Sequence, residues 1–222
     1  MPHHVKRRRT YDATKRRADA LARRATVLAA ARDLFLQEGF AATTIAAVAE
    51  RAGVSQETVY KNFGNKPGLV RALHDNAMRG EGPVSPYRRS DSLRGDSDPY
   101  EIVRGWSRLL TEVAPRVSPI LLLLRDATLV QPDLRHLLAE LDDARHQRMS
   151  ENAQFLHEAG HLRKNISAQA AADMMWSVTS PEMYELLVLR RGWSLNQYAG
   201  YVFHSVSSLL EPPRHAKTPN PR

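Results

Sequence analysis

Apolar residues recur every three or four positions along most of this chain, which is the spacing that places side chains on one face of an α-helix. Regular alternation of apolar and polar residues, which would indicate β-strands, does not occur. The spacing therefore predicts an all-α protein. Glycine and proline separate the apolar stripes, because glycine readily ends a helix at positive φ and proline cannot continue one.

Four helices are predicted between residues 19 and 80. The first ends at Gly39, and the second follows Thr44, whose hydroxyl can cap its N-terminus. Gly53 then turns the chain into a third helix, which Ser55 caps. The apolar positions that would pack these helices into a small bundle are Val27, Ala31, Leu34, Phe35, Ile45, Val48, Ala49, Ala52, Val59, Phe63, Leu69, Val70 and Leu73.

The fourth helix would begin after Asn65 and run towards Gly80, with Gly68 loosening its first turn by about 1 kcal/mol relative to alanine. From Gly80 to Asp98 the chain is rich in glycine, proline, serine and aspartate. Because glycine and proline disfavour regular structure, we expect no lasting helix or strand there. This stretch is predicted to be the linker between two domains.

Five more helices are predicted beyond the linker. Pro115 would end the first of them and Pro181 would interrupt the fourth, because a proline inside a helix removes a backbone hydrogen bond. The five helices span approximately residues 102–113, 119–130, 132–159, 168–191 and 195–210. After Glu211 the sequence contains four prolines and almost nothing to bury, so we expect a disordered tail.

Positive charge is concentrated at the N-terminus. Residues 1–24 carry a net charge of +7, residues 25–80 carry +1, and residues 81–222 are neutral. The basic segment could contact phosphate or an anionic surface, or it could be a solvated tail.

Composition excludes several classes of function. The chain contains no cysteine, which excludes disulfides, zinc ribbons and thiol nucleophiles. Its longest aliphatic run, residues 120–124, is far shorter than the roughly 20 residues of a membrane-spanning helix. No apolar segment follows the basic N-terminus as it would in a secretory signal, so we expect a cytoplasmic protein.

The segment from Thr43 to Lys66 predicts a helix-turn-helix, in which two short helices are joined by the tight turn at Gly53. The second helix of such a unit can enter the major groove of DNA, which is about 12 Å wide. The two apolar residues of this helix are expected to face inward. Its outward or first-turn side chains are then Gln56, Glu57, Thr58, Tyr60 and Lys61.

These side chains suit two kinds of DNA contact. Tyr60 and Lys61 suit phosphate oxygens, and Thr58 can serve either backbone or base. Gln56 suits an adenine edge, and Glu57 can accept a hydrogen bond from cytosine N4. Each side chain also has an ordinary explanation, because Glu57 can complement the helix dipole and Tyr60 and Lys61 can form a solvated face.

The run from Val27 to Leu73 resembles the N-terminal domain of tetracycline-repressor (TetR) type transcriptional regulators. The shared features are LFLQEGF at the end of the first helix, TT before the second, the AGVS turn, the TVYxxF recognition helix and the NK that opens the fourth. The resemblance implies a homodimer that binds a palindromic operator through the major groove. It implies backbone contacts by Thr44, Ser55, Thr58, Tyr60 and Lys66, and base-reading positions at Gln56, Glu57 and Lys61.

The basic segment before this run is longer than the family's core requires, and we hypothesise that it lies along, or in, the adjacent minor groove. The predicted domains are a basic arm (1–18), a helix-turn-helix domain (19–80), a linker (81–98), a ligand-binding and dimerisation domain (99–211) and a disordered tail (212–222).

The resemblance implies that residues from about Ser167 to Leu210 pair with a second copy of the chain as a four-helix bundle. It also implies control by a small effector, which we expect to be apolar or amphipathic. Soft, aromatic and isolated polar side chains suit a pocket for such a ligand, although the same residues could be ordinary core. The candidates are Trp106, Arg145, Met149, Asn152, Met175, Trp176 and Tyr184.

We therefore predict a sequence-specific DNA-binding transcriptional regulator, a repressor whose effector changes the spacing or mobility of two DNA-reading domains. The alternatives are an architectural protein that binds DNA without sequence preference and a helical enzyme. No nucleophile, phosphate loop or metal constellation supports an enzyme. His157 and His161 are separated by Gly160 and lack a third ligand at a recognisable spacing, so we expect neither a metal nor a cofactor.

Overall fold

The computed structural model describes residues 6–80 and 82–212, with side chains described from residue 13 onward. Within these residues the chain is helical and forms no β-sheet, since an isolated bridge between Leu162 and Leu210 is its one extended pairing. The all-α prediction is confirmed. Among the described helices, none combines the length and the apolar character that crossing a bilayer requires. The tail that we expected to be disordered lies outside the described residues from 213 onward.

The described residues form ten α-helices and one π-helical turn. They are α1 (Lys6–Ala42), α2 (Ile45–Ala52), α3 (Gln56–Phe63), α4 (Lys66–Arg79), α5 (Pro86–Leu93), α6 (Pro99–Ala127), α7 (Leu134–Glu158), α8 (Ala168–Val178), α9 (Pro181–Tyr184), the π-helical turn (Glu185–Arg190) and α10 (Leu195–Ser207). The chain folds into two compact units. The first contains residues up to 76 together with 123–137, and the second contains 77–122 and the residues from 138 onward.

In the first unit, the four predicted N-terminal helices are present. α1 is interrupted at Gly39, whose φ of 81° and ψ of 170° lie outside the helical region, so the predicted helix end is confirmed. Thr44, Ser55 and Asn65 cap the next three helices through their side-chain oxygens, as predicted. The predicted core side chains are buried, except for two residues of α2 that are partly exposed.

Gly68 has a role that helix propensity did not reveal. A Cβ atom at this position would clash with the backbone carbonyl oxygen of Phe63. The amide of Gly68 donates a hydrogen bond to the side chain of Asn65 at 2.8 Å. Glycine therefore allows the start of α4 to approach the end of α3 closely, and our expectation that alanine would suit this position better is wrong.

The predicted linker contains a helix that we did not expect. α5 begins after Ser85, whose hydroxyl accepts the N–H of Arg88, and Pro86 occupies a first-turn position where no N–H donor is needed. The indole Nε1 of Trp106 donates to the carbonyl of Ser90 at 3.0 Å and holds α5 against α6. The expectation that proline and glycine exclude a helix here is wrong, because this proline starts one. The residue limits of the domains stay a prediction.

α6 continues through Pro115 and Pro119, so our prediction of two helices separated at Pro115 is wrong. Apolar side chains around both prolines are buried, namely Ala114, Val117, Ile120 and Leu121. Burial of an aliphatic side chain contributes about 1.5–3 kcal/mol. This gain offsets the roughly 3 kcal/mol that a proline costs inside a helix.

The remaining helices of the second unit differ from prediction mainly at their ends. α7 begins at Leu134, two residues after the predicted Pro132, and ends before Gly160 as predicted. The interruption at Pro181 is confirmed, and the π-helical turn that follows was not predicted. α10 stops at Ser207, three residues early, because Leu210 instead pairs with the segment around residue 162.

Candidate nucleic-acid interface

A tight turn joins α2 to α3. Gly53 adopts the left-handed conformation (φ 65°, ψ 35°), which glycine reaches without steric cost. The N–H of Gly53 donates to the carbonyl of Glu50 at 3.1 Å, and the N–H of Val54 donates to that of Ala49 at 3.0 Å. These hydrogen bonds end α2 and redirect the chain into α3, so the predicted helix-turn-helix is present.

α3 has one buried face and one exposed face. Val59 and Phe63 are buried, whereas Gln56, Glu57 and Tyr60 are exposed. Tyr60 keeps 51% of its surface accessible, which is unusual for a large aromatic side chain. The predicted orientation of this helix is confirmed, and its outward side chains project where a DNA groove can reach them.

Two hydroxyls meet at the start of α3. The Oγ of Ser55 accepts the backbone N–H of Thr58 at 3.2 Å and lies 2.9 Å from the Oγ1 of Thr58. A hydroxyl has one proton and two lone pairs, so this pair retains capacity for a phosphate oxygen. Thr44 is engaged in the same way at the start of α2, where it accepts the N–H of Ala47 at 3.0 Å. Backbone contacts by these residues stay a prediction.

Lys66 is hydrogen-bonded within the protein. Its Nζ donates to the carbonyl oxygens of Phe40 at 2.7 Å and Thr43 at 3.0 Å, and the carbonyl oxygen of Ala41 lies at 3.4 Å. An ammonium group has three protons, and these three carbonyls occupy them. Burial lowers the pKa of Lys66. In the single chain, Lys66 thus ties the end of α1 to the start of α4. A contact of its ammonium group with a DNA phosphate stays a prediction.

Sequence reasoning missed a cleft between α1 and α3, which we call the α1–α3 cleft. Its volume is about 400 Å³, and it is lined by Ala20, Arg23, Arg24, Val27, Val54, Ser55, Thr58, Lys61, Asn62 and Phe63. Three of these residues are cationic and none is acidic. The helical spacing of Ala20, Arg23, Arg24 and Val27 could have revealed it, because that spacing places two arginines beside a buried apolar face.

Arg24 connects the two walls of this cleft. Its Nη1 donates to the carbonyl of Asn62 at 3.3 Å, and its guanidinium carbon lies 4.6 Å from the centre of the Phe63 ring. These are the last two residues of α3, so the cation also meets the negative end of the helix dipole. Arg24 thereby fastens α3 to α1.

The segment predicted as a basic arm is helical from Lys6, where α1 begins. An α-helix with its side chains is about 10–12 Å across, whereas the minor groove is about 6 Å wide. An intact helix is wider than that groove, so only side chains of this segment can reach into it. The hypothesis that this segment lies along, or in, the adjacent minor groove stays a prediction, and residues 1–5 lie outside the described residues.

The residues proposed for a ligand pocket lie in the second unit. Trp106, Met175 and Tyr184 belong to its buried hydrophobic core, and Met149 packs against that core. Trp106 uses its indole N–H in the contact with α5 described above. These four side chains are therefore placed together, in an arrangement that ordinary core packing also explains.

The polar candidates are bonded to other protein groups. Buried Asn152 accepts a hydrogen bond from Arg94 Nη2 at 2.8 Å. Arg145 donates to the backbone carbonyl of Trp176 at 2.5 Å and to the carboxylate of Asp142 at 2.8 Å, and its guanidinium lies 4.8 Å from the Trp176 ring. A role of these residues in ligand binding stays a prediction.

The family model of bacterial regulatory proteins of the tetR family matches residues 27–73 of this chain, which are the residues of the bundle around α3. The resemblance seen in the sequence is therefore confirmed over these residues. Among curated proteins, the uncharacterized HTH-type transcriptional regulator YvkB of Bacillus subtilis (strain 168) is 27% identical over 152 residues, which cover 68% of this chain and 76% of YvkB.

Solved structures extend the likeness to the full fold. NalD of Pseudomonas aeruginosa superposes with a TM-score of 0.64 at 22% identity, covering 88% of this chain and 99% of NalD. SmeT in complex with triclosan gives a TM-score of 0.65 at 18% identity, covering 90% and 100% of the two chains. This protein is a DNA-binding transcriptional regulator, as predicted, and neither the architectural nor the enzymatic alternative is favoured.

Proposed function

We propose that this regulator is a repressor that binds a palindromic operator as a homodimer and releases it when a small molecule binds. The observation that carries the proposal is the exposed face of α3, from which Gln56, Glu57 and Tyr60 project. The helix is capped, packed on two apolar residues and fastened to α1. A helix held in this way can present side chains to base edges in the major groove with little loss of conformational entropy on binding.

Gln56 and Glu57 are the proposed base-reading residues. The amide of Gln56 can pair with an adenine edge, and the carboxylate of Glu57 can accept a hydrogen bond from cytosine N4. Tyr60 and the hydroxyls of Ser55 and Thr58 are proposed to hold phosphates and so to set the register of the helix on the duplex.

The proposal is tested by binding of the full-length protein to duplex DNA from upstream of its own gene, with a scrambled duplex of equal length as reference. A sequence-specific regulator is expected to prefer its operator by about 10³-fold or more at physiological salt. The Tyr60→Ala variant should bind the operator more weakly and keep the wild-type melting temperature, because this side chain is half exposed. Equal affinity for both duplexes would contradict the proposal and favour an architectural protein.

A homodimer through residues 167–210 is supported by apolar side chains that this stretch leaves uncovered. Met174 is 44%, Leu186 is 47% and Leu189 is 55% exposed. Several large exposed apolar side chains within one stretch of the chain favour a protein–protein interface. A two-fold dimer would present its α3 helices about 34–36 Å apart, which matches two half-sites of a palindrome.

The effector is proposed to be a small apolar or amphipathic molecule. NalD is described as the secondary repressor of the MexAB-OprM multidrug efflux pump, and SmeT was solved with triclosan. We extend this chemistry to the present chain, with the aromatic and methionine side chains of the second unit as the binding environment. The effector would favour a dimer whose half-site spacing does not match the operator.

A thermal-shift screen of amphipathic compounds, with triclosan included, tests this proposal. A compound present at about 100 times its Kd should stabilise the fold by about 2.7 kcal/mol. The same compound should lower operator affinity. Compounds that stabilise the protein and leave operator affinity unchanged would contradict the coupling between effector and DNA.

A further inference from the structure

The α1–α3 cleft carries an unbalanced positive charge. Arg23, Arg24 and Lys61 line it together with the hydroxyls of Ser55 and Thr58, and no acidic residue in its lining offsets them. A concave surface with charge of one sign concentrates the electrostatic potential and attracts ions of the opposite sign. The cleft therefore has the composition of an anion-binding site, built from two helices of the same unit.

The cleft lies along one side of the exposed surface of α3. Ser55, Thr58 and Lys61 follow one another at intervals of three residues and line the cleft, whereas the residues proposed to read bases do not line it. A helix about 10–12 Å across nearly fills a major groove about 12 Å wide. With the base-reading side turned to the floor of the groove, the flank that carries the cleft meets the phosphates along its edge.

We propose that the α1–α3 cleft binds one phosphate group of the DNA backbone, with Arg23 and Lys61 as its charged ligands. The inference rests on the proposed function, because it takes α3 to lie in the major groove. It assigns Lys61 to a backbone contact, whereas the family resemblance implies a base-reading position. It also adds α1 to the DNA interface.

Arg24 is a positioning residue in this site. Its guanidinium is engaged by the Asn62 carbonyl and the Phe63 ring, so it holds the far wall of the cleft. Loss of this contact would let α3 shift relative to α1, which changes the placement of the base-reading side chains. Arg23 is exposed on the neighbouring position of α1 and is free to turn towards a phosphate.

The test is the salt dependence of operator binding by full-length wild-type protein and by Arg23→Gln and Lys61→Gln. The operator is selected from random duplexes with the wild-type protein. Loss of one phosphate-contacting cation reduces the slope of log affinity against log salt by about 1, so either variant of a homodimer with two sites should lose about 2 from its slope. Between about 50 and 200 mM salt, wild-type affinity should therefore fall about tenfold more than that of either variant.

Arg32→Gln is the matched control. Arg32 is an exposed arginine of the same helix, and it does not line the cleft. It lies nine residues after Arg23, which at about 100° per residue places it on the opposite side of α1. This variant should keep the wild-type slope. The two cleft variants should keep the wild-type ratio of operator to scrambled affinity, because phosphate contacts carry no sequence information.

Arg24 variants test the positioning role with a different measurement. Arg24→Gln should lower the ratio of operator to scrambled affinity by about tenfold, which is within the discrimination of one good base contact. Arg24→Lys keeps a cation over the Phe63 ring and should restore most of the ratio. Circular dichroism establishes that each variant is folded. An unchanged ratio in folded Arg24→Gln overturns the positioning role.

The outcomes separate this inference from the proposed function. If the wild-type protein selects an operator and both cleft variants keep its slope, the cleft does not bind phosphate and the inference alone is wrong. If the slope decreases as much in Arg32→Gln as in the two cleft variants, the change reflects the net charge of the protein and not a site in the cleft. That result also overturns the inference. A wild-type protein that selects no duplex overturns the proposed function together with the inference.

Discussion

Two cations, Lys66 and Arg24, hold the DNA-binding domain together at helix ends. Lys66 donates to carbonyls at the end of α1, and Arg24 donates to a carbonyl at the end of α3. The last carbonyls of a helix lack partners within the helix and carry partial negative charge, so a cation is well placed there. Arg24 thus holds the end of the recognition helix directly, and Lys66 holds the start of the helix that follows it.

Lys66→Met should lower the free energy of unfolding by about 2 kcal/mol, because it removes charge-assisted hydrogen bonds while keeping a side chain of similar length. Urea denaturation of the full-length protein measures the change. Lys61→Met is the control, since Lys61 is exposed, and it should change the free energy by less than about 0.5 kcal/mol. Equal losses in the two variants would show that the carbonyl contacts of Lys66 do not stabilise the fold.

His74 makes the same domain sensitive to acid. Its side chain is 13% exposed, and burial lowers its pKa by more than the hydrogen bond and charge of Asp75 raise it. The unfolded chain therefore takes up the proton more readily than the folded domain. The contribution of neutral His74 to the free energy of unfolding is fully present above the ordinary histidine pKa of 6.5. This contribution decreases as the pH falls below that value.

The His74→Gln variant should lose less stability than the wild-type protein between about pH 8 and about pH 5.5, because glutamine cannot take up the proton. Urea midpoints at the two pH values measure this difference. A wild-type protein and a variant that lose the same amount would show that His74 does not cause the acid sensitivity.

Among the helices, boundaries follow caps and close contacts more than propensity. The sequence was sufficient to locate the caps at Thr44 and Ser55, because a capping hydroxyl bonds to an amide three residues away. It was not sufficient for α5 and α6. Proline was interpreted as a helix breaker in both, whereas Pro86 begins a helix and Pro115 lies within one. Burial of neighbouring side chains decided between these outcomes, and burial depends on distant residues.

Gly68→Ala separates propensity from packing by the sign of its effect. Propensity alone predicts that alanine stabilises α4 by about 1 kcal/mol. The clash of a Cβ with the Phe63 carbonyl predicts the opposite, a loss of about 1–3 kcal/mol, because backbone of α3 would have to move. Thermal unfolding measures the sign. Gly82→Ala is the control, since the nearest atom to its Cβ lies at 3.9 Å, and it should be neutral or slightly stabilising.

At the level of the full chain, the proposed dimer makes the C-terminal helices necessary for DNA binding although they do not touch DNA. Leu189→Glu places a charge on an apolar surface that is 55% exposed in the single chain. The variant should therefore fold normally but remain monomeric where the wild-type protein is dimeric, because burying an unpaired carboxylate in an interface is unfavourable. Sedimentation velocity measures the change.

Operator affinity of Leu189→Glu should fall towards that for unrelated DNA, a loss of about 10³-fold or more. Leu129→Glu is the control, because Leu129 is 82% exposed and lies outside residues 167–210. It should leave both the dimer and operator binding unchanged. A dimeric Leu189→Glu variant would contradict the proposed interface.

Local spacing in the amino-acid sequence was enough to predict the helical class, the helix-turn-helix and the inward and outward faces of α3. Each of these depends on residues three or four positions apart, which any reader of the sequence can compare. The role of Lys66, the α1–α3 cleft and the need for glycine at position 68 became evident only in the folded chain. Lys66 meets Phe40 across 26 residues, and Arg24 meets Asn62 across 38. Such contacts follow from the way helices pack, and helical periodicity carries no information about which distant backbone atoms a side chain will reach.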